Sequence, residues 1–148
     1  MRLEEMMPTL LISSCADDHI YLANLFESLS RKLYVARTRA QAQSYLRNPE
    51  VSLILCERDL ADGSWKDVLS ETAGRDAAPL LIVVSTFADD RLWTEVLELG
   101  GYDVVAKPFV PKEMVRVLNL AWHPRAQPPA SGSRRRSRSG LIADPALS

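Results

Sequence analysis

The stretch PLLIVVS at positions 79–85 places five apolar residues in succession, from Leu80 to Val84. A continuous apolar run without helical spacing is typical of a central strand that helices cover on both faces. Further short runs of this kind lie on both sides of it in the chain, at positions 9–14, 33–37, 51–56 and 103–106. The sequence therefore predicts five short strands.

Between these strands the apolar residues recur at helical spacing. Start and stop signals accompany them: Thr38 and Ser64 can cap helices, Pro111 suits a first helical position, and Gly100 suits a helix end. The inward-facing positions are Leu22, Leu25, Phe26, Leu29, Ala42, Tyr45, Leu46, Trp65, Val68, Leu69, Leu92, Trp93, Val96, Leu99, Met114, Val117, Leu118 and Ala121. Strands that alternate with helices predict an α/β domain, a doubly wound five-stranded parallel sheet with right-handed crossovers.

Composition separates a domain from a tail. Positions 123–148 hold five of the 18 basic residues and one of the 19 acidic residues, which leaves residues 1–122 with a net charge of −5. We expect 1–122 to be one folded domain and the Pro-, Ser- and Arg-rich positions 123–148 to be a disordered tail. The acidic domain makes nucleic acid an unexpected partner, except for weak binding through Arg134–Arg138.

The cellular setting is also open to prediction. The chain has two cysteines, no apolar run long enough for a bilayer, and Glu4 and Glu5 near its start instead of a secretory signal. We therefore expect no membrane contact and a cytoplasmic location. Cys15 and Cys56 end neighbouring strands, so they could form a redox pair, but buried, inert thiols are the expected state.

Ligands on doubly wound sheets bind beyond the carboxyl ends of the strands. In this sequence those ends are followed by Ser13 and Ser14, Glu57, Ser85 and Lys107. Asp17 and Asp18 come just after the first strand, and we expect them to cap the first helix. A second possibility for these two aspartates is weak metal binding at the strand ends.

Two segments resemble the receiver domain of bacterial response regulators, over roughly residues 8–121. ERDLADG at 57–63 is similar to the phosphoacceptor segment of that family, and GGYDVVAKPF at 100–109 is similar to its Lys-Pro-Phe segment. The resemblance implies a (βα)5 fold with strand order 2-1-3-4-5 and a role in two-component phosphorelay signalling. It also implies a cis peptide bond between Lys107 and Pro108.

The chemistry of that family needs an acidic pair after the first strand and an acceptor Asp after the third, which together hold Mg²⁺. The resemblance places Ser13 and Ser14 at the pair positions and Glu57 at the acceptor position. Two hydroxyls and one carboxylate do not provide the charge that Mg²⁺ requires, so we expect no metal and no other cofactor. Lys107 and the hydroxyl of Ser85 match the family, whereas its switch aromatic is replaced by Val104.

Glu57 has two interpretations. Its carboxylate could stand beside Lys107 as a permanent substitute for the phosphorylated state, or the two could form an ion pair of little net stability. In a third interpretation the register shifts by two residues and Asp59 becomes the acceptor. Mg²⁺ would bind only if the site were not degenerate.

We therefore predict a stand-alone, degenerate receiver domain without enzymatic activity. Its expected partners are other signalling proteins, among them a histidine kinase or an output protein. The alternatives are a receiver that accepts a phosphoryl group from a histidine kinase on Asp59 or Glu57, and a nucleic-acid adaptor that binds through its Arg-rich tail.

Overall fold

Five strands form one parallel sheet in the computed structural model, which describes residues 7–123. They are β1 (Thr9–Ile12), β2 (Leu33–Ala36), β3 (Leu53–Glu57), β4 (Leu80–Ser85) and β5 (Asp103–Ala106). The strand order is β2-β1-β3-β4-β5, and every neighbouring pair is parallel. The predicted fold class and strand order are confirmed.

Five helices alternate with these strands. They are α1 (Ala16–Ser28), α2 (Arg39–Leu46), α3 (Trp65–Thr72), α4 (Asp90–Leu99) and α5 (Pro111–Trp122). β1 is shorter than expected, because it ends at Ile12 and leaves Ser13 and Ser14 in the connection to α1. The connection after β3, expected to be a loop, contains a short antiparallel hairpin that pairs Asp59–Leu60 with Gly63–Ser64.

Alternate residues of each strand enter two separate hydrophobic cores. In β3, Ile54 and Cys56 pack on the side of α2, α3 and α4, whereas Leu53 and Leu55 pack on the side of α1 and α5. All four side chains are buried. Both faces of the sheet are thus covered, which explains why its strands read as continuous apolar runs.

The predicted caps of three helices are confirmed. Thr38 accepts a hydrogen bond from Gln41 N, Ser64 forms a capping box with Asp67, and Gly100 ends α4 in the left-handed conformation with φ of 108°. Such caps supply partners for backbone groups that a helix end leaves without them.

The hairpin after β3 is attached to the start of α2. Asp62 accepts hydrogen bonds from Arg39 N at 2.9 Å and from Ala40 N at 3.0 Å, and these bonds lower the pKa of its carboxyl group. Gly63, with φ of +149°, lies so close to Arg39 that a Cβ would be 2.4 Å from Arg39 Cδ. The segment that follows the candidate acceptor position is therefore held in one conformation.

Every helix within residues 7–123 is too short or too polar to cross a lipid bilayer. Of the expected tail, only His123 belongs to the described part of the chain, where it is exposed. Arg134–Arg138 lie outside the described residues.

Candidate functional site

The carboxyl ends of β1, β3 and β5 bring four of the predicted site residues together. Ser13 and Ser14 follow β1, Glu57 is the last residue of β3, and Lys107 follows β5. Lys107 Nζ lies 3.2 Å from Glu57 Oε2 and donates a hydrogen bond to it. The predicted pairing of Glu57 with Lys107 is present.

The other oxygen of Glu57 is held by the β1–α1 connection. Glu57 Oε1 accepts hydrogen bonds from Ser14 N at 3.1 Å and from Ser14 Oγ at 3.2 Å. The single hydroxyl proton of Ser13 is shared between Glu57 Oε1 at 3.3 Å and Asp18 Oδ2 at 2.9 Å. The two serines therefore act as donors to the carboxylate, whereas an acidic pair at these positions would repel it.

Asp18 also belongs to the site, although the sequence predicts that this residue caps α1. That assignment is wrong for both Asp17 and Asp18, because Cys15 is the N-cap of α1 and no side chain among the described residues caps this helix end. The Asp18 carboxylate is instead buried at the site. Asp18 Oδ2 accepts hydrogen bonds from Lys107 Nζ at 2.7 Å and from Ser13 Oγ at 2.9 Å. A signal existed in the sequence: Asp18 lies one helical turn before Leu22, on the face that enters the core.

Two opposing effects act on the pKa of Lys107. Burial lowers it, because desolvation disfavours the charged form, but the hydrogen bonds and negative charges of Asp18 and Glu57 outweigh burial. The pKa of Lys107 is consequently raised, and the side chain, which is 11% exposed, is an ammonium at neutral pH.

Further contacts hold the β1–α1 connection in place. Cys15 N donates to Ser13 Oγ at 3.0 Å, His19 Nε2 lies 2.6 Å from Ser13 O, and Arg37 Nη1 donates to Ser14 O at 3.4 Å. The contacts of Cys15, His19 and Arg37 therefore hold the β1–α1 connection in the conformation in which both serine hydroxyls face the carboxylates.

The side chains of Ser85 and Asp59 lie beside Glu57 and Lys107 and form no hydrogen bond with them. Ser85 Oγ accepts from Phe87 N at 3.0 Å, and the Ser85 carbonyl accepts from Lys107 N at 2.9 Å. Asp59 has an exposed side chain, 3.6 Å from Arg58 Nε. A small open cleft is lined by Glu57, Arg58, Asp59, Val84, Ser85, Thr86, Phe87 and Lys107.

Four other sequence positions, Val104, Pro108, Cys56 and Cys15, can now be placed. Val104, at the switch position, is a buried core residue, and the Lys107–Pro108 peptide bond is cis, as the resemblance implied. Cys56 is buried, and burial followed by the charge of Glu57 raises the pKa of its thiol. Cys15 is only half-buried, contrary to the expectation of two buried thiols, and both cysteines are free.

The residues at this site do not fit a bound Mg²⁺. Both oxygens of Glu57 and Oδ2 of Asp18 already accept hydrogen bonds, and the Lys107 ammonium lies between the two carboxylates. A second cation there would face electrostatic repulsion from the ammonium and would have to displace serine donors. Among residues 7–123, no group of three or more His, Cys, Asp or Glu side chains has the arrangement of a metal site.

Several solved structures share this architecture. The chain is similar to the signal receiver domain of an HD domain-containing protein from Pseudomonas fluorescens Pf-5, with TM-score 0.73, 21% identity, and 91% of this chain and 97% of that chain covered. The chain has the receiver-domain fold. For the chemotaxis response regulator CheY4 of Vibrio cholerae the TM-score is 0.71 at 11% identity, with 78% and 98% covered.

A two-component response regulator from Clostridium difficile shows the same receiver fold, with TM-score 0.67, 21% identity, and 82% and 98% of the two chains covered. No protein-family model and no curated protein matches the sequence. At these identities the likeness establishes the receiver fold, and the activity has to be argued from the site.

Proposed function

We propose that this chain is a degenerate receiver module of a two-component signalling pathway, which acts by protein–protein contact and transfers no phosphoryl group. The observation that carries the proposal is the position of Lys107, whose ammonium is bound by Asp18 at 2.7 Å and by Glu57 at 3.2 Å. The positive charge beside Glu57 is thus supplied by a side chain of the protein itself.

The chemical argument concerns the charge that a phosphoryl group brings. Transfer to a carboxylate needs a free oxygen as nucleophile and positive charge, usually a metal ion, to stabilise the transition state. Here the Glu57 oxygens are occupied by donors from Ser13, Ser14 and Lys107. The proposal therefore includes no catalysed reaction and no cofactor.

The proposed partners are other signalling proteins, a histidine kinase or an output protein among them. The proposal places the module in the cytoplasm, and the free thiols of Cys15 and Cys56 are consistent with a reducing compartment. Glu57 serves in it as the permanent negative charge of the cleft.

The second candidate is a receiver that accepts a phosphoryl group on Asp59 or Glu57. The observation that favours it is the exposed Asp59 carboxylate, which lines the same cleft as Lys107 and Thr86. This carboxylate has no contact with the Lys107 ammonium, so the cluster described above does not block it.

One experiment separates the two candidates. The protein is incubated with acetyl phosphate and Mg²⁺, and its intact mass is measured beside a phosphorylatable receiver domain as positive control. We expect no phosphoryl adduct on this chain under conditions in which the control is modified. A stable, Mg²⁺-dependent adduct that disappears in Asp59→Asn or in Glu57→Gln would refute the degenerate assignment and identify the acceptor.

A further inference from the structure

We propose that Asp18 is a positioning residue that holds the Lys107 ammonium beside Glu57 as the resident cation of the cleft. This inference rests on the proposed function and concerns the regulation of the same site. Its consequence is a cleft whose conformation does not respond to divalent cations.

The first argument is geometric. Asp18 Oδ2 is 2.7 Å from Lys107 Nζ, which is a shorter contact than the 3.2 Å from Glu57 Oε2 to the same nitrogen. Asp18 is also the more deeply buried of the two carboxylates, with 6% of its side chain exposed against 20% for Glu57. Charge-assisted bonds of this length are strong where water is excluded, so Asp18 is the principal anchor of the ammonium.

The second argument concerns how Asp18 is itself held. Its Oδ2 accepts from Ser13 Oγ, and that hydroxyl in turn accepts from Cys15 N at 3.0 Å. Ser13 is fully buried, so an acidic side chain at its position would put another negative charge beside Asp18. The serine is therefore what allows Asp18 to turn inward and bind a lysine.

The third argument is the link that this pair makes between two parts of the fold. Asp18 belongs to α1, and Lys107 begins the connection from β5 to α5. One turn further along α1, Tyr21 stacks on Phe109 with ring centroids 5.1 Å apart. The ion pair and the aromatic stack fasten the same two segments together, which fixes the position from which Lys107 reaches Glu57.

The test compares Asp18→Asn with Asp17→Asn as matched control, since Asp17 is the exposed neighbour in the same helical turn. Lysine ammonium protons are visible by ¹H–¹⁵N NMR at neutral pH only when hydrogen bonds slow their exchange. We expect the Lys107 ammonium signal in the unmodified protein and in Asp17→Asn, and its loss in Asp18→Asn. Amide spectra of both variants verify the fold, and an unchanged signal in Asp18→Asn would overturn the proposal.

A second measurement uses Mn²⁺ as the probe, through the paramagnetic broadening of the Ser14 and Glu57 amide signals. Millimolar Mn²⁺ should leave these signals unchanged in the unmodified protein and broaden them in Lys107→Met, where two carboxylates share the cleft without an ammonium. Broadening in the unmodified protein, or none in folded Lys107→Met, would contradict the inference. A phosphoryl adduct in the mass experiment would instead refute the proposed function, so the two failures are distinguishable.

Discussion

At the scale of single residues, Lys107 decides the charge balance of the cleft. Replacing it with Met leaves the Asp18 and Glu57 carboxylates without their shared cation. We expect Lys107→Met to lower the free energy of unfolding by about 2–4 kcal/mol at neutral pH, because buried charges become uncompensated. Urea unfolding at neutral pH measures the loss.

A matched control for this substitution is Lys66→Met. Lys66 lies 2.5 Å from Glu95, but both side chains are largely exposed, at 51% and 41%. Surface pairs contribute roughly 0–1 kcal/mol, so this variant should stay close to the unmodified protein. An equal decrease in the free energy of unfolding in the two lysine variants would show that the ion pairs of Lys107 stabilise the fold no more than a surface pair does.

The raised pKa of Lys107 gives a prediction at alkaline pH. A basic group with a raised pKa in the folded state adds stability that is fully present below its unfolded pKa of ~10.4 and is lost above it. The free energy of unfolding should therefore fall as the pH rises through the pKa of folded Lys107. Lys107→Met should lack this part of the fall, and parallel alkaline profiles of the two proteins would contradict the assignment.

At the scale of elements, the hairpin after β3 depends on Gly63. A Cβ at this position would meet Arg39 Cδ at 2.4 Å and Asp67 Oδ2 at 2.7 Å, in a backbone conformation that side chains rarely adopt. We expect Gly63→Ala to lower the free energy of unfolding by about 1–3 kcal/mol. Gly74→Ala isolates the backbone strain, since φ is +87° there and a Cβ meets nothing within 4 Å. A loss at Gly63 no larger than at Gly74 would contradict the crowding argument.

The boundaries of helices and strands could be predicted from the sequence where a proline lies at the start of the element. Pro79 precedes β4 and Pro111 begins α5, and both elements lie where the sequence places them. The hairpin at Asp59–Leu60 could not be predicted, because strands of two residues show no periodicity. The contact of Asp18 with Lys107 was not predicted for a different reason: the sequence places Asp18 at a helix start, as a cap or a weak metal ligand, and only the fold brings α1 to the connection from β5 to α5.

At the scale of the whole molecule, the part of the chain that the structure describes forms its two hydrophobic cores from side chains between Leu10 and Trp122. Because positions 124–148 are rich in Pro, Ser and Arg and poor in apolar residues, deleting them should leave the melting temperature of the domain unchanged within error. Thermal unfolding of both forms at low and moderate salt tests this. A lower melting temperature for the shortened chain, most marked at low salt, would mean that the arginines of the tail bind the acidic domain.

The sheet divides the hydrophobic core into two layers, and this division affects how many substitutions such a sequence can accept. Because Ile54 and Leu55 point to opposite layers, a change of volume on one face is absorbed by α2, α3 and α4, and one on the other by α1 and α5. Substitutions in different layers should thus add in their effect on stability. Each face can be remodelled for a new partner while the opposite face keeps its packing, which suits an architecture that persists in chains only 11% identical.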